Sequence, residues 1–260
     1  MPTVAEKRRS FRRLHESGCF VIPNPWDAGT ARYLQHLGFK ALATTSSGAA
    51  FSMALPDADW ALTRDPMLAH IRAIVEASDL PVNADFESGY ADDPADLAEN
   101  VRLCVETGVA GLSVEDSTGD VSRPLYTFDL AVARIRAARA AIDRTGSDVL
   151  LVGRTEGFIA GMPDLEEAIR RLKAYAAAGA DCLYAPGIRT REEIAAVVDA
   201  VAPKPVNLLI GGAIGLTVKD AAELGVRRVS VGGALAARAW SAFDRAAQML
   251  MHEGRLPPRG

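Results

Sequence analysis

The chain repeats one pattern eight times: a short apolar segment with strand character is followed by a longer segment with helical periodicity. Strands are predicted at residues 19–23, 40–45, 82–87, 111–115, 149–154, 182–185, 206–210 and 229–231. Helices fill every gap, and turns of small residues lead from several helices into the next strand. Eight such units in about 240 residues are typical of a (β/α)8 TIM barrel. We therefore predict a single α/β barrel domain that spans residues 1–260.

An open doubly wound sheet is the main alternative fold. That fold usually carries a Gly-x-Gly-x-x-Gly turn after its first strand, whereas residues 24–29 here read Asn-Pro-Trp-Asp-Ala-Gly. A barrel of the predicted type works at the carboxyl ends of its strands. The polar and small residues predicted at those ends are Ser46, Ser47, Gly48, Asp85, Glu87, Glu115, Asp116, Arg154, Glu156 and Asn207.

Composition and charge exclude several classes of partner. The chain has 29 basic and 33 acidic residues, a net charge of −4, and no basic run that could follow a phosphate backbone, so nucleic acid is not expected. No apolar run is long enough to span a membrane, and no signal-peptide core follows the charged start. We therefore expect a cytoplasmic protein that does not contact membranes. Its three cysteines are widely spaced and are expected to be reduced and buried.

Acidic side chains from neighbouring strands point to a metal site. Asp85 and Glu87 lie two residues apart, so on an extended strand both carboxylates leave the same face. Glu115 belongs to the adjacent strand, and two such charges about 5 Å apart repel by roughly 3 kcal/mol at an effective dielectric near 20. A cation would remove that cost, and an oxygen-only ligand set suits Mg²⁺ or Mn²⁺. A protonated acid, or neutralisation by Arg154, is the alternative.

The residue types missing from the predicted strand ends narrow the chemistry. All four histidines fall in predicted helices, and the five lysines lie in helices or at strand beginnings, so neither an imidazole base nor a Schiff-base amine is available. Ser47 has no histidine partner for a hydrolytic triad. A metal ion, carboxylates and Arg154 remain. These groups suit the binding of a 2-oxo acid, with Arg154 stabilising the charge of a forming enolate.

The motifs together resemble the isocitrate lyase and phosphoenolpyruvate mutase superfamily over most of the chain. Ser47-Gly48 is similar to the Ser-Gly that holds substrate oxygens in that family, and residues 85–90 (Asp-Phe-Glu-Ser-Gly-Tyr) are similar to its Asp-x-Asp-Thr-Gly-Tyr/Trp. The resemblance implies that Asp85 meets Mg²⁺, that Glu87 holds metal waters and that Glu115 supports the metal. It places Arg154 in the arginine segment of strand five, and Asp59 in the position of an acid on the gating loop. We therefore expect the catalytic residues to be Arg154, Asp59 and Glu115, and the substrate-binding residues to be Ser47, Gly48, Arg154 and Asn207.

The resemblance also implies a class of reaction: the Mg²⁺-dependent making or breaking of a C–C or C–P bond next to a 2-oxo acid, through an enolate held at the metal. Three departures narrow this class. Glu87 replaces an Asp, residues 117–125 lack the Lys-Lys/Arg-Cys-Gly-His of the isocitrate and methylisocitrate lyases, and residues 184–187 lack the histidine of phosphonate-handling members. We therefore expect a lyase or decarboxylase of substituted 2-oxo or 2-hydroxy acids.

The last predicted helix, residues 235–253, is apolar around much of its circumference. The resemblance implies that this helix is exchanged between subunits, which predicts a homodimer or homotetramer. A terminal helix with a wide buried face is the alternative.

Two other functions are compatible with a barrel of this kind. Gly211-Gly212 and Gly232-Gly233 could form a phosphate cradle in an isomerase or synthase, although such pairs also simply permit tight turns. A barrel that binds a small acid without turning it over is the other alternative. Dependence on Mg²⁺ would separate a lyase from both.

Overall fold

The computed structural model describes residues 2–212 and 214–258. The helices are α1 (Val4–Leu14), α2 (Ala28–His36), α3 (Ser46–Ser52), α4 (Arg64–Ala77), α5 (Pro94–Glu106), α6 (Phe128–Arg144), α7 (Leu165–Ala177), α8 (Arg191–Val201), α9 (Val218–Glu223) and α10 (Ala234–Glu253). The strands are β1 (Phe20–Ile22), β2 (Leu42–Ala43), β3 (Val82–Asp85), β4 (Gly111–Glu115), β5 (Leu150–Arg154), β6 (Cys182–Tyr184), β7 (Val206–Leu209) and β8 (Arg228–Ser230).

The eight strands form one parallel sheet in the order β1-β8-β7-β6-β5-β4-β3-β2. The sheet curls until its two edges meet, where the backbone N–H of Ala43 donates to the carbonyl oxygen of Pro23 at 3.0 Å. The predicted (β/α)8 TIM barrel is therefore confirmed. All eight predicted strands are present, but most are shorter than predicted, and β2 keeps only two residues. A short helix, α3, occupies a segment for which no helix was predicted.

Strand periodicity separates an outer apolar layer from a polar interior. On β4, Leu112 and Val114 pack outward in the main apolar core, whereas Ser113 and Glu115 face a cavity inside the barrel. Alternate residues of a strand leave opposite faces. The inward positions of the other strands are mixed, because the apolar residues Ile22, Ala43 and Leu209 line the cavity together with polar ones. The inward polar positions form the candidate site, and the outward positions hold the helices in place.

Polar side chains fix where several helices begin. Thr3 and Glu6 form a reciprocal capping box at the start of α1, and Thr190 with Glu193 does the same for α8. Asp93 caps α5, whose first residue, Pro94, has no backbone N–H to leave unpaired. In residues 2–212 and 214–258, none of the helices has the length and apolar character needed to cross a bilayer.

Candidate active site

A cavity of about 380 Å³ opens at the carboxyl ends of the strands. Its described lining is strongly acidic, because six carboxylate side chains face it and only two arginines do. The acids are Asp57, Asp59, Asp85, Glu87, Glu115 and Glu156, and the arginines are Arg154 and Arg228. The structure thus brings together the acids predicted from three different strand ends. It adds Asp57 and Asp59 from the loop between α3 and α4.

Arg154, the last residue of β5, is the centre of the acidic cluster. Its Nη1 lies 3.2 Å from Oδ1 of Asp85 and 3.1 Å from Oε2 of Glu115, and its Nε donates to Oε1 of Glu156. Although burial alone would lower it, these carboxylates hold the pKa of Arg154 well above its usual range. The arginine therefore neutralises part of the cluster, which was the alternative to a metal in the sequence analysis.

Asp85 is the last residue of β3 and is hydrogen-bonded to residues that follow β2. Its Oδ2 accepts hydrogen bonds of 2.9 Å from both the backbone N–H and the hydroxyl of Ser46, while its own N–H donates to Oγ1 of Thr44. These bonds fix the carboxylate beside Arg154. The predicted placement of Asp85 at the mouth of the barrel agrees with this geometry.

Glu87 lines the cavity, but its backbone does not have the extended strand conformation that was expected. β3 ends at Asp85, and Glu87 adopts a left-handed conformation with φ of 47°. Its Oε2 accepts from the backbone N–H of Trp60 at 2.6 Å, and its Oε1 accepts from the hydroxyl of Tyr90 at 2.7 Å. Burial raises the pKa of Glu87 to about 7. Asp85 and Glu87 therefore do not leave one face of a strand, although both line the cavity.

The loop between α3 and α4 covers one side of the mouth. Trp60 fastens it through the contact with Glu87 and through a 2.9 Å hydrogen bond from its indole Nε1 to the hydroxyl of Ser88. Asp59, the acid expected on a gating loop, accepts a hydrogen bond from the hydroxyl of Ser117. Ala54 and Trp60 adopt left-handed φ values of 58° and 57°, which non-glycine residues rarely do.

Arg134 of α6 holds the loop that follows β3 from behind. It is fully buried and donates to the backbone carbonyls of Ser88, Ala91 and Asp92. Its guanidinium also lies 4.1 Å from the centre of the Tyr126 ring. The segment that carries Glu87 and Ser88 is thus fixed by a helix outside the barrel.

Asp116, immediately after β4, supports Glu156 and Thr155 beneath the site. Its Oδ1 accepts from the N–H of Glu156 at 2.8 Å. Its Oδ2 accepts from Oγ1 of Thr155 at 2.9 Å, Nη1 of Arg171 at 3.0 Å and the hydroxyl of Tyr175 at 2.5 Å. Asp116 was found at a strand end from the sequence, but its four donors come from two distant segments. Its role is to hold β5 and α7 together.

The predicted substrate-binding residues occupy different positions. Ser47 lines the cavity, with its hydroxyl 3.0 Å from Oγ1 of Thr45. Gly48 is buried behind it, where an added Cβ would lie 2.7 Å from Thr45 and 2.9 Å from Trp26, so close packing requires glycine there. Asn207 lies deeper and is 1% exposed; its amide already binds Arg228 and Ser230.

Arg228 and Asp57 line the cavity but were not predicted from the sequence as site residues. Arg228 is the first residue of β8 and points inward, a position at which the strand period could have drawn attention to a charged residue. Asp57 lies on the loop that covers the mouth, and no local pattern predicts where that loop folds. Burial, followed by the charges of Asp85 and Asp59, raises the pKa of Asp57.

The donor chemistry of the cavity fits a divalent cation that prefers oxygen. Burial raises the pKa of Glu115 well above its usual range despite Arg154, and Glu156 and Asp85 add to the effect by repulsion. Within the described residues, no group of three or more aspartate, glutamate, histidine or cysteine side chains is arranged to hold a metal ion. Mg²⁺ is usually held by one or two carboxylates and keeps several waters, so Asp85, with Glu87 and Glu115 nearby, would suffice.

Comparison with known proteins agrees with this fold. The family model described as phosphoenolpyruvate phosphomutase matches residues 11–251. The chain belongs to this family, as the motif resemblance predicted.

Individual relatives extend over nearly the whole chain. An oxaloacetate decarboxylase from Paraburkholderia xenovorans is 34% identical over 248 residues, which cover 93% of this chain and 77% of the relative. The crystal structure of a protein described as a lyase/mutase from Burkholderia cenocepacia J2315 is 49% identical, with a TM-score of 0.93 and coverage of 97% and 90%. A phosphonopyruvate hydrolase in complex with oxalate and Mg²⁺ is 27% identical, with a TM-score of 0.86 and coverage of 95% and 88%.

We predict that Asp116→Ala lowers the free energy of unfolding by about 3–5 kcal/mol. The change removes one of the two acids paired with Arg171 and leaves the buried donors of Thr155, Glu156 and Tyr175 without their acceptor. Urea denaturation would measure the loss. Asp120→Ala is the control, since the Asp120 side chain bonds to Ser122 and Arg123 on the exposed loop, and a change within about 0.5 kcal/mol is expected there. Equally small losses in both variants would show that the Asp116 network adds no net stability.

Proposed function

We propose that this protein is a Mg²⁺-dependent lyase that cleaves the C3–C4 bond of a small 2-oxo diacid, one carbon beyond the keto group, and that decarboxylation of oxaloacetate is its reaction. The observation that carries the proposal is the position of Arg154, half-buried and ion-paired with Asp85, Glu115 and Glu156 at the mouth of the barrel. A fixed guanidinium at this point can stabilise negative charge that develops on a substrate oxygen.

Decarboxylation of oxaloacetate requires only one proton transfer. The bond between C3 and C4 of oxaloacetate breaks, CO₂ leaves, and the electron pair forms the enolate of pyruvate, which then takes up a proton. Cleavage of a malate-type substrate would also need a base at the hydroxyl and an acid for the second product. Residues 117–125 contain no cysteine, histidine or lysine, and Ser117 is engaged by Asp59. Decarboxylation, which needs neither this base nor this acid, is therefore the favoured reaction.

The chain's own residues would divide the task among them. Asp85 would hold the cation, with Glu87 and Glu115 supporting it, and a bound Mg²⁺ would supply Lewis-acid stabilisation of the 2-oxo oxygen. Ser47 would contact a substrate oxygen, with Gly48 and Asn207 supporting the substrate site from behind. Arg154 would stabilise the developing charge with Glu115 as its partner, and Asp59 would act from the covering loop. Trp60 would keep that loop closed and exclude water.

The glycine pairs considered as a phosphate cradle have a packing explanation. An added Cβ at Gly233 would lie 2.6 Å from Oγ of Ser47, and one at Gly211 would lie 2.9 Å from the carbonyl oxygen of Val231. Close approach of the backbone therefore accounts for these two glycines. The cradle explains none of the acids at the ends of β3 and β4.

We also propose that α10 packs on a second copy of the chain. Trp240 is 43% exposed, Phe243 is 64% exposed, and Leu250 and Met251 are exposed as well. Ala236 is the one residue of α10 classed as buried. An apolar surface of this kind on a long helix is typical of a protein–protein interface.

Turnover in the presence of Mg²⁺ would test the proposed reaction. Oxaloacetate, substituted malates and phosphonopyruvate should be supplied in parallel, and we expect pyruvate and CO₂ from oxaloacetate. Chelation should remove all activity above the spontaneous rate, and added Mg²⁺ should restore it. Activity that persists in chelator would instead favour the metal-independent isomerase or synthase, and binding of oxaloacetate without turnover would favour a non-catalytic barrel.

Asp85→Ala should abolish Mg²⁺ binding and reduce turnover by at least about 100-fold, because it removes the proposed direct ligand. Calorimetric titration with Mg²⁺ would measure the binding. Asp57→Ala is the matched control, because it removes the same charge from the same cavity without a hydrogen bond to Ser46 or Arg154, and a change of only a few fold is expected. Equal weakening in both variants would mean that the general negative field of the cavity, rather than Asp85, attracts the cation.

Phe243→Glu should convert the oligomer to monomers by placing a charge in the apolar face of α10. Light scattering after size-exclusion chromatography would give the molar mass. Arg245→Glu introduces the same acid on the opposite face of the helix, where Arg245 contacts only Ser241, and should leave the oligomer intact. A wild-type protein that runs as a monomer would contradict the proposed interface.

A further inference from the structure

The two arginines that line the cavity have very different surroundings. Arg154 is paired with three carboxylates, so its charge is already offset before a ligand binds. No carboxylate of the described chain lies within ion-pair distance of Arg228. A negatively charged substrate would therefore meet its uncompensated cation at Arg228.

Arg228 lies across the floor of the cavity and is held there by two amides. It is 3% exposed. Its Nε donates to Oδ1 of Asn207 on the neighbouring strand at 2.8 Å, and its Nη1 donates to Oδ1 of Asn83 on β3 at 3.3 Å. Asn207 is itself oriented by a 2.9 Å bond from its Nδ2 to Oγ of Ser230. The guanidinium is thus fixed in orientation while its charge stays unpaired.

The side of Arg228 that faces away from the cavity offers no acid either. His15, just after α1, is half-buried, and its buried Nε2 atom has no hydrogen-bond partner among the described residues. Burial, and next the positive charge of Arg228, lowers the pKa of His15 to about 3, so this ring is neutral. The charge of Arg228 is therefore not balanced from below.

Burying a cation at the centre of a barrel without an acidic partner costs free energy. The inner layers of such barrels are usually made of branched apolar side chains, and replacing a buried charge with apolar groups of similar volume is often stabilising. An arginine that is kept at this position without an ion pair is better explained by a ligand than by packing. Its planar fork matches the two oxygens of a carboxylate.

We infer that Arg228 forms an anion subsite at the floor of the cavity that receives one carboxylate of a diacid, and that this contact selects diacids over monoacids. The inference rests on the proposed function for the identity of the ligand as a small 2-oxo or 2-hydroxy diacid. In this arrangement the other end of the ligand lies toward Asp85 and Arg154, and the two ends of the substrate are recognised by separate groups.

The competing explanation is structural, since Arg228 could serve only to join β8, β7 and β3 through the two asparagines. The two explanations differ in what they predict for paired ligands. If Arg228 has only a structural role, its replacement should weaken the binding of all ligands alike. If Arg228 forms a carboxylate subsite, its replacement should weaken only ligands that carry the second carboxylate. L-Malate and L-2-hydroxybutyrate form such a pair, because the second compound has a methyl group in place of the distal carboxylate.

Calorimetric titration with both compounds in the presence of Mg²⁺ would test the inference. Wild-type protein should bind L-malate at least about 10-fold more tightly, and Arg228→Met should weaken L-malate binding by about 10- to 100-fold, as expected for a charged hydrogen-bonded contact. Binding of L-2-hydroxybutyrate should change by less than about threefold. Arg139→Met is the control, because Arg139 is a partly buried arginine that binds Asp143 and Asp181 away from the cavity.

Thermal unfolding of each variant would show whether it folds. Should Arg228→Met fail to fold, Arg228→Lys decides the question: it keeps the charge but loses the fork, and L-malate should again weaken while L-2-hydroxybutyrate does not. Equal loss for both ligands, or no preference in the wild type, would overturn the inference. Because neither ligand needs to react, an Arg228-dependent preference without oxaloacetate turnover would refute the proposed reaction alone.

Discussion

The ion pairs between Arg154 and its three acids are the interaction on which the site depends. Asp85, Glu115 and Glu156 are drawn together at one end of the barrel, and carboxylates buried this closely would repel one another or take up protons without a cation between them. The register of the sheet sets this arrangement, because Glu115 on β4 lies directly beside Arg154 on β5. The same register that builds the barrel therefore also builds its charge cluster.

Support for this cluster comes from outside the barrel. Asp116 gathers donors from β5 and α7, and Arg134 reaches from α6 to the backbone of the loop after β3. Arg134 has all of its backbone partners in the loop that carries Glu87, and Asp116 has two of its four side-chain donors in the segment that carries Glu156. Loops are usually the mobile part of a barrel, but these two are held by helices that are packed into the core. Such support holds the side chains of the candidate site in place without a substrate.

The cavity separates two kinds of positive charge. Arg154 is compensated by acids and can respond to charge that appears during a reaction, whereas Arg228 is uncompensated and can attract a ligand before any reaction takes place. Among the described residues, six carboxylates and two arginines line the cavity, so its net charge favours a divalent cation. A dianionic substrate would therefore be recognised in part by the arginines of the protein and in part by a cation bound at its acidic side chains.

Relatives of this chain show that similar barrels carry out different reactions. An oxaloacetate decarboxylase and a phosphonopyruvate hydrolase both share most of its length. Two local features of this chain were used above to choose among such reactions: residues 184–187 contain no histidine, and residues 117–125 contain no cysteine, histidine or lysine. Both segments lie at the carboxyl ends of barrel strands, where enzymes of this fold place their reacting groups.

The sequence by itself determined the strand number, the barrel class and the convergence of Asp85, Glu115 and Arg154. These follow from periodicity and from the rule that parallel strands end at one edge, which are local or topological properties. Tertiary structure alone decided that Glu87 turns left-handed and bonds to Trp60, and that Arg228 reaches across the barrel to Asn83. Those contacts join residues 27 and 145 positions apart. They depend on side-chain conformations and on barrel closure, which no local pattern in the chain records.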